Sequence, residues 1–185
     1  MENEALKNIF TRHSVREFTG EAVKKEDLLT ILKAAMSAPS AVNRQPWSFI
    51  VVTEREILDA LCEKLPFAKM LSKAGAAIVV CGLPDKLKLL SLVVKVVAGT
   101  SLGDHWITDC SAASENILLS AHSLGYGAVW TAVFPDEKRI KEAREILGIP
   151  ENIIPLNVIP IGGPVNKNQP PTDTFKEKNI HWERW

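Results

Sequence analysis

Alternating helical and extended segments predict one domain of mixed α and β structure, covering residues 1–185. Length, composition and patterning agree on this. The chain has 185 residues, within the ~100–200 usual for one domain, and no repeat, linker or low-complexity tract divides it. Apolar residues make up 46% and charged residues 24%, the balance of a chain that buries a core. Four strand-like runs alternate with about six helix-like runs, joined by short connections. Regular alternation is the usual mark of a parallel α/β sheet.

Each element has its own signal. Residues 4–10 form a short helix candidate. Residues 25–37 form a better one, because Leu28, Ile31, Leu32 and Ala35 share one face and Glu26 and Asp27 suit the positive end of the helix dipole. Pro39 stops it. Residues 47–53 are aromatic and β-branched, which predicts a strand, and 54–64 predicts a helix. Residues 76–82 read as a buried strand. Residues 85–98 read as a helix by length and Lys/Leu content. Residues 104–124 predict the longest helix, with Cys110, Ala113, Asn116, Ile117 and Ser120 along one side and Gly125 as its C-cap. Residues 128–134 predict a strand. Pro135, Asp136 and Glu137 open a helix that Gly148 closes. Residues 153–161 read as a strand that Pro155 and Pro160 demote to an edge or irregular one.

Several function classes are excluded. Lys+Arg and Asp+Glu both number 22, so no basic excess exists to neutralise a nucleic acid or attach to an anionic membrane. The longest apolar stretch, 89–98, is broken by Lys95 and falls short of the ~20 residues a membrane span needs. The N-terminus carries no apolar run of a secretory signal, so a cytoplasmic protein is expected. Cys62, Cys81 and Cys110 are too widely spaced for a zinc knuckle or a CxxC pair, and read as small buried apolar residues. Neither GxGxxG nor a P-loop occurs, and no HExxH or GxSxG. No metal site is expected.

Four constellations could carry chemistry. Arg12, His13, Ser14 and Arg16 place two guanidinium groups, an imidazole and a hydroxyl within five residues. In an extended segment Arg12, Ser14 and Arg16 point to one side, a cradle for phosphate or carboxylate; a solvated basic turn is the plainer alternative. Residues 38–47 form a proline-bracketed loop whose Asn43 and Gln45 amides could read a heterocycle edge, or whose polar groups merely satisfy their own backbone. At 125–134, Gly127 and Ala128 let a flat ligand approach the backbone, or simply start a core strand. Gly162 and Gly163 could expose N–H groups to an anion, or form a turn.

In this order the motifs RHSVREF, PSAVNRQPWSF, DCSAASENILLSAHSLGYGAVW, IGGP and the closing HWERW resemble the FMN-dependent nitroreductase family over essentially the whole chain. The resemblance implies an α+β fold, with a central, mostly antiparallel sheet flanked by helices. It implies a homodimer, a C-terminal tail extending onto the partner, and FMN bound between the two chains. NADH or NADPH would reduce the flavin in ping-pong fashion, and a small electron-poor acceptor such as a nitroaromatic or quinone would reoxidise it. By the same resemblance Arg12 and Ser14 match phosphate ligands, with His13 alongside, and Arg16 reaches the polar edge of the isoalloxazine. Pro39, Ser40, Ala41 and Asn43 match the loop the partner lays against the flavin, with Gln45 at its end. Lys69 approaches the pyrimidine carbonyl. Trp130, Thr131, Ala132 and Val133 match the strand passing the reactive N5, and Gly162 and Gly163 the turn near the phosphate. No side chain is expected to act as a catalytic acid; the flavin N5 carries the hydride.

Two departures stand out. A basic residue expected before the terminal motif falls at Thr172 or Thr174, and Lys167 or Lys176 could replace it. Ala132 or Val133 stands where larger relatives carry a Glu, which leaves the choice of nicotinamide open. A reductive dehalogenase or flavin-fragmenting enzyme on the same fold would need a lid, for which 85–103 is the candidate. A non-catalytic flavin-binding or storage protein is a further alternative.

Overall fold

The computed structural model describes residues 3–84, 105–167, 170 and 174–185. The helix expected at 85–98, the candidate lid at 85–103 and Thr172 lie outside these.

Helix α1 (Glu4–Thr11) begins at Asn3, whose Oδ1 accepts from the N–H groups of Ala5 and Leu6, satisfying donors that the first turn leaves open. Helix α2 (Lys25–Met36) buries Leu28, Ile31 and Ala35, the face its spacing predicts. Strand β1 (Trp47–Val52) leads to α3 (Arg55–Lys64) and then β2 (Ala76–Gly82). Helix α4 (His105–Ser123) is followed by two short strands, β3 (Gly127–Ala128) and β4 (Thr131–Ala132). Helix α5 (Glu137–Leu147) ends at Gly148, whose φ of 65° is the left-handed cap that glycine adopts without a Cβ clash. Strand β5 (Ile154–Gly162) follows.

The strands form one sheet in the order β1-β2-β5-β3, with β4 also on β5. Every pairing between these strands is antiparallel. The α+β expectation from the family resemblance therefore holds, and the parallel sheet suggested by alternation does not. Alternation misleads because helices here carry the chain between antiparallel neighbours as well as over the faces.

Strand β2 shows how the layers are built. Ala76, Ile78 and Val80 enter the apolar layer under α2 and α4, while Ala77, Val79 and Cys81 enter the layer under α3 and α5. Side chains alternate across a strand, so a strand covered on both faces is apolar throughout. Cys81 and Cys110 are buried in these layers, and burial pushes both thiols up to about 12. Cys62 is only half-buried, with its Sγ 3.4 Å from the Lys69 carbonyl.

Strand β5 is central rather than an edge, despite its two prolines. Each coincides with a break in the ladder. Cys81 pairs with Pro155 and Val80 with Asn157, so Leu156 is the extra residue of a bulge. The register of β3 and β4 on β5 would set Val129 opposite Pro160, and that is the gap between the two short strands. A proline offers no N–H, and the run expected as one strand at 128–134 splits there.

No helix of the described residues is long and apolar enough to cross a membrane.

Candidate functional site

The extended segment after α1 supplies the first wall. The Val15 N–H donates to the Ala128 carbonyl at 3.0 Å, and Ser14 bridges Ala128 in parallel. Val15 turns inward and is buried. A Cβ on Gly127 would lie 2.6 Å from Val15, so Gly127 is required by this close approach. With Val15 inward, alternation sends Ser14 and Arg16 to the opposite side.

Arg16 lines a cleft of about 400 Å³ together with Phe67, Met70, Arg139 and the stretch Val129, Trp130, Thr131 and Ala132. Thr131 holds the strand down by donating its Oγ1–H to the Val158 carbonyl at 2.6 Å. Val133 is fully buried beneath, in the layer with α3 and α5. The cleft thus joins an exposed guanidinium, an edge-strand backbone and an exposed aromatic, Phe67.

Arg139 was not foreseen from the sequence. Its helix, α5, is highly charged, and such runs read as solvated. Asp136, the N-cap of α5, accepts the Arg139 backbone N–H through Oδ1 at 3.1 Å and faces the Arg139 Nε through Oδ2 at 3.2 Å. The guanidinium also reaches the Ala132 carbonyl at 3.4 Å and lies 4.7 Å from the Phe67 ring centre. The signal that could have found it is the Asp136–Arg139 spacing at a helix start, which turns the side chain back over the preceding strand.

Lys69 lies elsewhere. Its ammonium donates to the carbonyls of Cys62 and Glu63 at 2.7 and 3.2 Å. It therefore caps the last turn of α3, where a cation is favoured.

Around the start of this wall, Arg12 Nε faces Glu115 at 3.4 Å. His13 Nδ1 lies 3.1 Å from the Thr11 carbonyl, and its Nε2 is buried with no partner among the described residues. The His13 and His122 rings meet edge to face at 6.1 Å. Burial, followed by the charges of His13 and Arg12, lowers the His122 pKa from 6.5. Gly162 and Gly163 pack closely: a Cβ on Gly162 would meet the Phe18 ring at 3.1 Å, and one on Gly163 would meet the Thr19 hydroxyl at 2.9 Å. Gly163 turns its carbonyl to the Thr19 N–H at 2.9 Å. Lys167, Thr174 and Lys176 are exposed.

The 39–45 loop is somewhere else again. It precedes β1, at the opposite edge of the sheet from β3 and β4. Three interstrand steps separate those edges, roughly 14 Å. Its backbone is strained: φ is 49° at Val42, 55° at Asn43 and 50° at Gln45. Asn tolerates the left-handed region, but for β-branched Val42 it is an outlier. The shape is held from within by Ser40, whose Oγ accepts the Gln45 N–H at 2.9 Å and whose carbonyl accepts the Asn43 N–H at 2.9 Å. The Asp109 carboxylate of α4 accepts the Ala41 N–H at 3.1 Å. Arg44 is buried beneath, while Pro39, Val42, Asn43 and Gln45 are exposed.

An antiparallel sheet between two helical layers, with a cleft at one edge that carries two guanidinium groups, defines the class as α+β. Comparison with known proteins gives the family. The nitroreductase family model matches residues 9–163. A protein of Archaeoglobus fulgidus named "Putative NADH dehydrogenase/NAD(P)H nitroreductase" is 46% identical over 184 residues, covering 98% of this chain and 99% of its own length. A crystal structure bearing the same name, from Parabacteroides distasonis, superposes with a TM-score of 0.88 at 43% identity over the whole of both chains. An FMN-dependent nitroreductase from Clostridium difficile superposes with a TM-score of 0.82 at 29% identity, covering 97% of this chain and 99% of that one. The chain belongs to the nitroreductase family, and it is an oxidoreductase.

Proposed function

We propose that the protein is an FMN-dependent NAD(P)H oxidoreductase, working as a homodimer with one FMN-binding domain per chain. The observation that carries this reading is the cleft that Arg16 lines together with Trp130, Thr131 and Ala132. FMN is flat and anionic, and a cleft lined by guanidinium groups, an aromatic ring and the edge-strand residues Val129 to Ala132 fits it. A Cβ at Gly127 would push Val15 and the attached Ser14–Arg16 stretch out of place.

Bound FMN would supply hydride chemistry between NADH or NADPH and a nitroaromatic, quinone or similar acceptor, in alternating half-reactions. The protein's own residues bind and orient. Arg12 and Ser14 hold the phosphate; the Arg12 Nε faces Glu115, which leaves its terminal nitrogens for the anion. Arg16 stabilises negative charge at the pyrimidine end by Coulomb attraction. The backbone at Thr131 and Ala132 sets the ring against the incoming donor. This division explains why no general acid is required among the side chains.

Pro39, Ser40, Ala41, Asn43 and Gln45 precede the strand at the opposite edge of the sheet from their own chain's cleft. They serve the partner's. Strain costing about 1–3 kcal/mol per residue persists only where the surroundings hold it, and an exposed Val42 in that state suits a surface completed by a second chain. The exposed tail, with Ile180, Trp182 and Trp185, is assigned to the partner's surface in the same way. The expected preparation is yellow. Its flavin bleaches on adding NADH or NADPH without oxygen and recovers with a nitroaromatic or quinone. A colourless protein that cannot be reconstituted with FMN contradicts the reading.

A further inference from the structure

We propose that Arg139 is a second flavin-binding cation, facing the pyrimidine end of the cofactor beside Arg16. The inference rests on the FMN reading above and adds a residue to it. Arg139 lines the same cleft as Arg16 and the Val129–Ala132 backbone. The sequence resemblance offered Lys69 for this task, but the Lys69 ammonium is committed to the carbonyls of Cys62 and Glu63. Of the two, only Arg139 brings its charge to the cleft.

The geometry suits a planar ligand. The guanidinium sits 4.7 Å from the Phe67 ring centre, an arrangement that fixes the plane of an arginine and leaves its edge to donate. Asp136 holds Nε at 3.2 Å, and the Ala132 carbonyl takes one Nη1–H at 3.4 Å. An arginine has five N–H donors, so three remain without partners among the described residues. Its side chain is 23% exposed, so its charge is less screened than that of a free surface arginine. Because Asp136 and Ala132 already hold it, little further ordering is needed when a ligand arrives.

Two-electron reduction places negative charge on the pyrimidine end of a flavin. A fixed cation there binds the reduced cofactor more tightly than the oxidised one, and so raises its midpoint potential. Asp136 partly offsets that cation. The two residues are therefore predicted to act in opposite directions.

The test uses FMN-loaded wild type, Arg139→Gln, Arg139→Lys and Asp136→Asn. Two quantities are read: FMN affinity by fluorescence titration, and the midpoint potential of the bound flavin by equilibration with reference dyes. Arg139→Gln is expected to weaken binding of reduced FMN roughly tenfold, with a smaller loss for oxidised FMN, so the potential falls. Arg139→Lys is expected to retain part of the effect. Asp136→Asn keeps an oxygen for the helix cap and removes the opposing charge, so the potential rises. A merely structural role would shift both sites in the same direction. Potentials unchanged in Arg139→Gln, or lowered alike in Arg139→Gln and Asp136→Asn, overturn the inference while leaving the FMN reading intact. Wild type that binds no FMN overturns both.

Discussion

The two edges of the sheet are built by opposite rules. At the β3–β4 edge the site is made by close packing. Gly127 admits Val15, Thr131 is tied to Val158, and Arg139 is held by Asp136. At the β1 edge the 39–45 loop is a strained, outward-facing turn pinned from below by Ser40 and Asp109. The first edge encloses a cleft within one chain. The second presents the exposed side chains of Val42, Asn43 and Gln45 at the surface. On the proposed reading the site is half cavity and half surface, and the surface half carries the strain.

Removing the proposed phosphate ligand at the start of the cleft's wall should have the largest effect. Arg12→Ala is expected to weaken FMN binding by a few kcal/mol, since hydrogen bonds to charged groups contribute ~1.5–3 kcal/mol each; an FMN titration giving wild-type affinity would remove Arg12 from the phosphate site. Next comes Gly127→Val. Its added carbons meet Val15, and overpacking of this kind costs ~1–3 kcal/mol. Urea unfolding should show that loss, with FMN affinity falling as the segment from Ser14 to Arg16 is displaced.

The loop should respond in the opposite sense. Val42→Gly relieves a left-handed β-branched residue and is expected to raise stability by roughly 1 kcal/mol. A drop in stability would mean that the Val42 side chain is doing something its 66% exposure does not show.

The smallest effect concerns pH, and it belongs to the cleft side. His122 has its folded pKa lowered from 6.5, so the unfolded chain binds its proton more readily. Stability is then full above pH 6.5 and falls as pH drops through 6.5 toward the folded value. Thermal melts across pH 5–8 should show this slope in wild type and a flatter profile in His122→Gln. An identical slope in the variant would assign it to another group.

Much of this was legible beforehand, because local chemistry dictates it. The face of α2, the doubly buried β2 and the Asp136 and Gly148 ends of α5 follow from spacing and capping. Alternation offers a cradle of Arg12, Ser14 and Arg16 only as a possibility; Arg16 lines the cleft, while Arg12 faces Glu115. What was hidden depends on contacts distant in sequence. Pro155 and Pro160 read as edge markers, but a bulge and a gap between two short strands absorb them. Arg139 was masked by the charged helix around it. The Lys69 ammonium is taken by the carbonyls at the end of α3, a contact that its place in the sequence does not encode. That the 39–45 loop stands a sheet's width from the cleft depends on strand order, which no local pattern encodes.

The central claim is that one chain's cleft is completed by another chain's loop. It is tested by a mixed dimer of Arg12→Ala, defective in the cleft, with Ser40→Ala/Asn43→Gly, defective in the loop, isolated through two different tags. If the loop serves the partner, one site of the mixed dimer carries both defects and the other carries none. The mixed dimer then binds one FMN with wild-type affinity, while neither parent homodimer does. If each loop serves its own cleft, both sites of the mixed dimer are damaged, and the absence of any tight site would contradict the account.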